Sequence, residues 1–416
     1  MPRLVSQRTL AVQNLPRFVS VDVISCPMPD RIRVLLAIGS LAGGGSERQV
    51  INILRHLDRS RFEPHLYLVN RTGEFLSHVP DDVSVTAFDD LPEPGGFYLP
   101  GKIRRAQIKH MISVMHQRQI NVVYDRTPHM TLITGPACDL AGVPRLSTVV
   151  SDPAQDLRDN VGRFRWFKYR ILKQEYRMAD RVIANSEPLA EACREFYDLA
   201  ADQVMMLSNG FDFDEIRNRA AASIRLDELP PATFHVAAAG RLEECKGFDF
   251  LLQALNELVN VRGHVNIVAS IAGRGSCESE LRKLTVQHCL EQVVRFVGFL
   301  ENLYPLIQSA DLFCLTSRYE GMPNVLVEAM SLGVPVLSSD CPHGPREILQ
   351  GGELGTLISS NDPQLIADGI EQAMQLEAGR AARTAAAQAS VLSRFGIQPT
   401  TRALEEMFQA AAGQEL

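Results

Sequence analysis

The stretch Asp311-Leu-Phe-Cys-Leu-Thr-Ser-Arg-Tyr-Glu-Gly-Met-Pro-Asn-Val-Leu-Val-Glu-Ala-Met-Ser-Leu332 divides into three parts. Residues 311–317 form a short apolar run, 318–324 a loop, and 325–332 an apolar helical stretch stopped by Gly333. An uninterrupted apolar run of that length, bounded by turn residues, reads as a buried strand of a parallel sheet. Pro323 suits the first turn of the helix that follows, where a missing N–H costs nothing. Strand, loop and helix in that order are the repeating unit of a doubly wound α/β domain.

The unit recurs on both sides of this stretch. One alternation begins at Phe234-His-Val-Ala-Ala-Ala-Gly240, with further strand-like runs near 265–272, 293–297, 334–338 and 355–358. An earlier one begins at Arg31-Ile-Arg-Val-Leu-Leu-Ala-Ile38 and continues through runs near 65–69, 83–88, 121–124, 145–150 and 181–185, with helical patterns between. Residues 203–215 carry an Asn-Gly turn signal and mark the boundary. The expected organisation is a disordered extension over 1–30, one α/β domain over 31–207 and a second over 208–390. The Ala- and Gln-rich tail reads as helix. The total of 416 residues suits two to three domains.

Composition narrows the function. Forty-two basic and 49 acidic side chains leave a net charge of −7, the opposite of what a nucleic-acid grip requires. The eight cysteines are scattered without a CxxC pair, as in reduced thiols of a cytoplasmic protein. No run approaches the roughly 18 apolar residues of a spanning helix, and the N-terminus lacks a signal-type apolar segment. A cytoplasmic location is therefore expected.

In an open parallel sheet, ligands bind beyond the carboxyl ends of the strands, where helix N-termini offer free N–H groups. Five loops at such ends carry unusual residues. Gly43-Gly44-Gly45-Ser46 suits close approach of backbone to a phosphate or sugar, or simply a turn that needs positive φ. Gly240-Arg-Leu-Glu-Glu-Cys-Lys-Gly247 brings Arg241 and Lys246 to a strand end, which favours a diphosphate over a merely solvated turn. Ala272-Gly273-Arg-Gly-Ser276 reads as another wall of the same cleft. Glu328 stands out of character in an apolar helix, with Glu320 in the loop beneath it. Carboxylates there suit the vicinal hydroxyls of ribose or hexose, although a carboxylate near a helix start also complements the helix dipole. In Asp340-Cys-Pro-His-Gly-Pro-Arg-Glu347, Arg346 and Glu347 read as a local ion pair.

Taken in order, Gly-Gly-Ser-Glu-Arg (44–48), Ser-Asn-Gly-Phe-Asp (208–212), Gly-Arg-Leu-x-x-x-Lys-Gly (240–247) and Glu-Gly-Met-Pro-Asn-Val-Leu-Val-Glu-Ala (320–329) resemble glycosyltransferase family 4. These are retaining enzymes of the GT-B fold. The resemblance covers about residues 31–390 and is most specific at the Glu320/Glu328 pair. It implies two Rossmann-like domains facing each other across a cleft, with a C-terminal helix, here 391–416, packing back on the first.

For the site, the resemblance implies that Arg241 and Lys246 hold the donor diphosphate, Glu328 the ribose hydroxyls, and Glu320 the transferred sugar. Gly44, Gly45, Gly240, Gly273, Gly298, Gly321, Met322, Pro323, Asn324 and Val325 would complete the donor cradle, with Tyr304 and 297–299 near the base. Neither a metal nor another cofactor is implied, because cations and amides neutralise the leaving diphosphate. The histidine frequent in the first domain is replaced here by Ser151-Asp152, and His129 is a candidate substitute. Asp212-Phe-Asp214 mimics a DxD metal site but lies in the boundary segment.

The implied reaction moves a hexose or N-acetylhexosamine from UDP or GDP to a hydroxyl, on a lipid-linked saccharide of surface-polysaccharide synthesis. A nucleotide-sugar epimerase or a nucleotide-binding protein without turnover would share the architecture. The run 162–177 interleaves basic and aromatic residues, including Arg163, Arg165, Trp166 and Lys168. It suits an anionic membrane face or lipid diphosphate, and equally an ordinary solvated surface.

Overall fold

A computed structural model describes residues 31–92, 101–159, 165–222, 233–359, 361–375 and 379–413. The expected extension over 1–30 lies outside the described residues, as does Arg163. Two parallel sheets carry the fold. The first contains β1 (Ile32–Ile38), β2 (Phe62–Leu68), β3 (Ser84–Ala87), β4 (Val122–Arg126), β5 (Arg145–Val149), β6 (Arg181–Ala184) and β7 (Val204–Met206) in the order β3-β2-β1-β4-β5-β6-β7. The second contains β8 (Phe234–Ala239), β9 (Ile267–Ala272), β10 (Val294–Gly298), β11 (Leu312–Leu315), β12 (Val336–Ser339) and β13 (Thr356–Ile358) in the order β10-β9-β8-β11-β12-β13. This is the double Rossmann-like GT-B architecture that the resemblance implies.

Both sheets are buried by helices on their two faces, which is why their strands are continuous apolar runs. Val34, Leu35 and Leu36 of β1 and Val236 and Ala237 of β8 are fully buried. The strand order reverses between β1 and β4 and again between β8 and β11. Those two switch points are where a crevice opens at the carboxyl edge of a doubly wound sheet. The loops bearing Gly44, Arg241 and Glu320 all leave from strands that flank them.

The chain passes between the domains twice, and the two passages run side by side. Phe211 N–H donates to Phe395 O at 2.9 Å and Ile397 N–H to Phe211 O at 3.0 Å, forming a short parallel bridge. After it, the helix Ile397–Ala411 lies on the first domain, with Phe408 edge-on to Phe62 and Tyr124. Phe408 is fully buried in the first-domain core. Replacing it by alanine should cost about 3–5 kcal/mol, through lost burial plus the cavity left behind. Urea denaturation would read this as a lower midpoint, and a loss below about 1 kcal/mol would show that the helix contributes little to that domain.

Candidate functional site

The second domain builds its side of the cleft by stitching together three strand ends. Gly240 N–H donates to Ala272 O at 3.0 Å, Leu242 N–H to Arg274 O at 2.9 Å, and Gly273 N–H to Gly298 O at 2.8 Å. Gly273 has φ +143°, and a Cβ there would run into the Gly240 carbonyl. Only glycine lets these loops lie so close. The turn at Lys246 and Gly247 is pinned to the end of β11, because the Thr316 hydroxyl donates to Gly247 O at 2.9 Å.

On that platform Lys246 Nζ donates to Glu320 Oε1 at 2.6 Å, and the Ser317 hydroxyl donates to the same oxygen at 2.7 Å. Glu320 is 8% exposed, so its charge is held by a cation and a hydroxyl rather than by water. Arg241 stays exposed at the mouth. The helix Asn324–Ser331 begins one residue before the apolar stretch read from the sequence, with Pro323 as its N-cap and not in its first turn. Glu328 therefore sits within that helix, not at its start, and is 1% exposed. A role in complementing the dipole of the first turn does not fit that place.

The first domain closes over this platform along three seams. At the first, Asn324 Nδ2 donates to Gly45 O at 3.3 Å, and Asn209 Nδ2 donates to Asn324 Oδ1 at 2.8 Å. At the second, the Ser186 hydroxyl donates to Gly321 O at 3.2 Å, and a Cβ on Gly321 would strike the Val150 carbonyl. Phe299, just after Gly298, lies at the third, where a Cβ on Gly43 would meet its ring.

Side-chain contacts across the cleft reinforce the seams. Arg48, from the helix Gly45–His56, donates to Glu328 Oε1 at 3.1 Å and to the Tyr304 hydroxyl at 2.8 Å. Burial opposes the Arg48 charge, but Tyr304 and Glu328 more than offset it and raise its pKa. His343 Nε2 meets Asp152 Oδ2 at 2.8 Å from the opposite domain. Partial desolvation is the largest single influence on Asp152, but His343 and the N–H groups of Gln155 and Ala154 together outweigh it and hold its pKa below the ordinary value. Glu47 is raised by burial, against the pull of Arg241 and Arg126. Thr127, at the end of β4, has φ +80°, and His343 has φ +64°. A β-branched residue in that region stores strain, of the kind that clusters where backbone is placed for a ligand.

The structure thus brings Gly44, Gly45, Gly240, Arg241, Lys246, Gly273, Gly298, Glu320 through Val325, Glu328 and Asp152 to one cleft. His129 is exposed at the start of the helix Pro128–Ala141, which follows β4. Its pKa is lowered by partial desolvation and then by Lys168. Trp166 and Lys168 lie on the helix Arg165–Met178, which packs on the helices Pro128–Ala141 and Glu187–Tyr197 of the first domain. The side chain of Arg165 is outside the described set.

One sequence expectation is corrected. Arg346 pairs with Asp340, whereas Glu347 accepts from the Glu187 N–H, so 346 and 347 are not a local pair. Asp212 caps the helix Phe213–Ala220 and binds His56, while Asp214 pairs with Arg217. Both carboxylates of that DxD have structural partners. Arg48 and His343 were present in quoted motifs, but nothing local signalled their partners, 280 and 191 residues away.

Two family models match the chain: Glycosyltransferase Family 4 over residues 43–215, and Glycosyl transferases group 1 over 233–375. EpsF of Bacillus subtilis is 28% identical, over 80% of this chain and 84% of its own. An N-acetylgalactosamine-N,N'-diacetylbacillosaminyl-diphospho-undecaprenol 4-alpha-N-acetylgalactosaminyltransferase of Campylobacter jejuni is 25% identical, over 48% of this chain and 52% of its own. The chain spans about half the length of the first curated relatives it matches. Among solved structures, HepE of Anabaena with UDP-glucose superposes with a TM-score of 0.73 at 21% identity, over 91% of this chain and all of that one.

Gly321→Ala tests the cleft geometry directly. The added methyl meets a backbone carbonyl, so the domains should stand further apart while each keeps its own core. Small-angle scattering should show a larger radius of gyration at an unchanged melting temperature. An unchanged radius would mean that the Val150 contact does not set the closure.

Proposed function

The chain belongs to glycosyltransferase family 4, and from that premise we propose that it moves a hexose or N-acetylhexosamine from UDP or GDP to a hydroxyl, with retention at the anomeric carbon. The observation that carries this reading is the Lys246–Glu320 contact at the second switch point, beside Arg241 and the glycine-stitched loops. A diphosphate entering there meets Lys246, which can exchange its carboxylate partner for phosphate oxygens. Arg241 adds a second cation, and the amides at the start of the helix Asn324–Ser331 point the positive end of its dipole at the same place. Glu320, released by Lys246, then faces the transferred sugar. The charge that develops on the leaving diphosphate is met by groups already in position.

Two likenesses support the class of substrate. HepE is described as a complex with UDP-glucose, and the Campylobacter relative is named for transfer onto a diphospho-undecaprenol saccharide. We read the acceptor here as a lipid-linked saccharide of surface-polysaccharide synthesis, reached from the inner face of the cytoplasmic membrane. Trp166 and Phe167 are 69% and 58% exposed on the helix Arg165–Met178, and the Arg170 guanidinium lies 4.9 Å from the Trp166 ring centroid. Such a face suits an anionic interface. Among the described residues no helix is long and apolar enough to cross a membrane.

Incubation with a panel of UDP- and GDP-sugars, with and without lipid-linked saccharide, should give acceptor-dependent release of nucleotide and an α-linked product from an α-linked donor. Donor conversion to an epimer, or binding without turnover, would replace this reading. Lys246→Ala and Arg241→Ala should each slow turnover on the order of 10²–10³-fold, the usual loss for one such electrostatic group. Full activity in both would remove the diphosphate assignment. Turnover should also persist in EDTA. Complete loss that is restored by Mg²⁺ or Mn²⁺ would show that a metal carries the leaving group.

A further inference from the structure

Glu328 and Arg48 come from different domains, yet they make one group. The Arg48 guanidinium lies between two rings, 5.3 Å from the centroid of Phe75 and 5.4 Å from that of Tyr304. One of its terminal nitrogens, Nη1, donates both to the Tyr304 hydroxyl and to Glu328 Oε1, at 2.8 and 3.1 Å. The other carboxylate oxygen, Oε2, is buried with no hydrogen-bond partner among the described residues. An orphaned oxygen on a carboxylate only 1% exposed costs free energy unless a donor arrives. The donor that suits it is a hydroxyl, because every cation the structure gives Glu328 is already on Oε1.

We infer that Arg48 is a positioning residue for the nucleotide: by holding Glu328 through Oε1 from the opposite domain, it leaves Oε2 as the acceptor that reads the ribose hydroxyls. This rests on the reading of Glu328 as the ribose contact. Recognition of the sugar of the nucleotide is then a two-domain property, complete only when the cleft is closed. A nucleoside diphosphate without those hydroxyls leaves the buried oxygen unpaired, and the loss depends on Arg48 as well as on Glu328.

The probes are UDP and 2′,3′-dideoxy-UDP, titrated calorimetrically into the full chain. A hydrogen bond to a charged acceptor predicts that the wild type binds UDP on the order of tenfold more tightly than the dideoxy form, or better. Glu328→Ala should bring that ratio to about one. A wild-type ratio in Glu328→Ala would overturn the ribose reading itself, and this inference with it. Arg48→Met should also bring the ratio to about one, while Arg48→Lys, which keeps the charge, restores part of it. A wild-type ratio in Arg48→Met, with the ratio lost in Glu328→Ala, overturns the inference alone. Where Arg48→Met does not fold, Tyr304→Phe removes one anchor of the guanidinium and should lower the ratio at least twofold. An unchanged ratio there counts equally against the role of Arg48. A residue that served only stability would weaken UDP and its dideoxy analogue alike.

Discussion

Two carboxylates buried in one cleft must each be matched by a cation, and much of the arrangement follows from that requirement. Glu320 and Glu328 are 8% and 1% exposed, and a buried charge without a partner is expensive. Glu320 finds Lys246 within its own domain, on the turn that Gly247 packs against the end of β11. Glu328 finds Arg48 only across the cleft. The first pair is complete within the platform. The second ties the platform to the opposite domain, so its electrostatics and the domain closure are parts of one constraint.

The close seams follow from the same need. For Arg48 to reach Glu328, the helix Gly45–His56 must lie against the helix Asn324–Ser331, and the glycines at 45 and 321 permit it. At both positions a Cβ would meet atoms of the other domain, Asn324 Nδ2 at 3.0 Å in one case and the Val150 carbonyl in the other. The loop glycines therefore have two kinds of neighbour. Gly240 and Gly273 lie close to each other within one domain, while Gly43, Gly45 and Gly321 make room for the opposite domain. The Gly240 and Gly273 amides are spent within the platform, on Ala272 O and Gly298 O.

Most of the architecture was legible because its signals are local. Apolar runs ending in glycine marked both sheets, and the spacing of Glu320 and Glu328 placed one carboxylate in a loop and the other inside a helix. The strand Val204–Met206 was passed over as boundary, since three residues of decreasing burial leave too short a run to read. Pairings that join distant parts of the chain were not legible at all. Arg346 looked like the partner of its neighbour Glu347, but at adjacent positions on a short helix the two side chains diverge, and Arg346 turns back to Asp340. His343 and Asp152 carried no mark of each other, because only the folded domains bring the loop after β12 to the loop after β5.

The double passage between the domains explains how such precise cross-cleft contacts coexist with a cleft that must admit a substrate. A single linker would leave the domains free to twist. Here the segments at Phe211 and Gly396 are hydrogen-bonded side by side, and the helix that follows is anchored through Phe408 in the first-domain core. Two hydrogen-bonded segments resist twisting more than one would. Arg48 and Glu328 sit on opposite domains and would part if the domains separated, whereas Lys246 and Glu320 share one domain and would stay together. The Lys246–Glu320 side of the cleft is therefore complete without closure, whereas the side that carries Glu328 is completed by it.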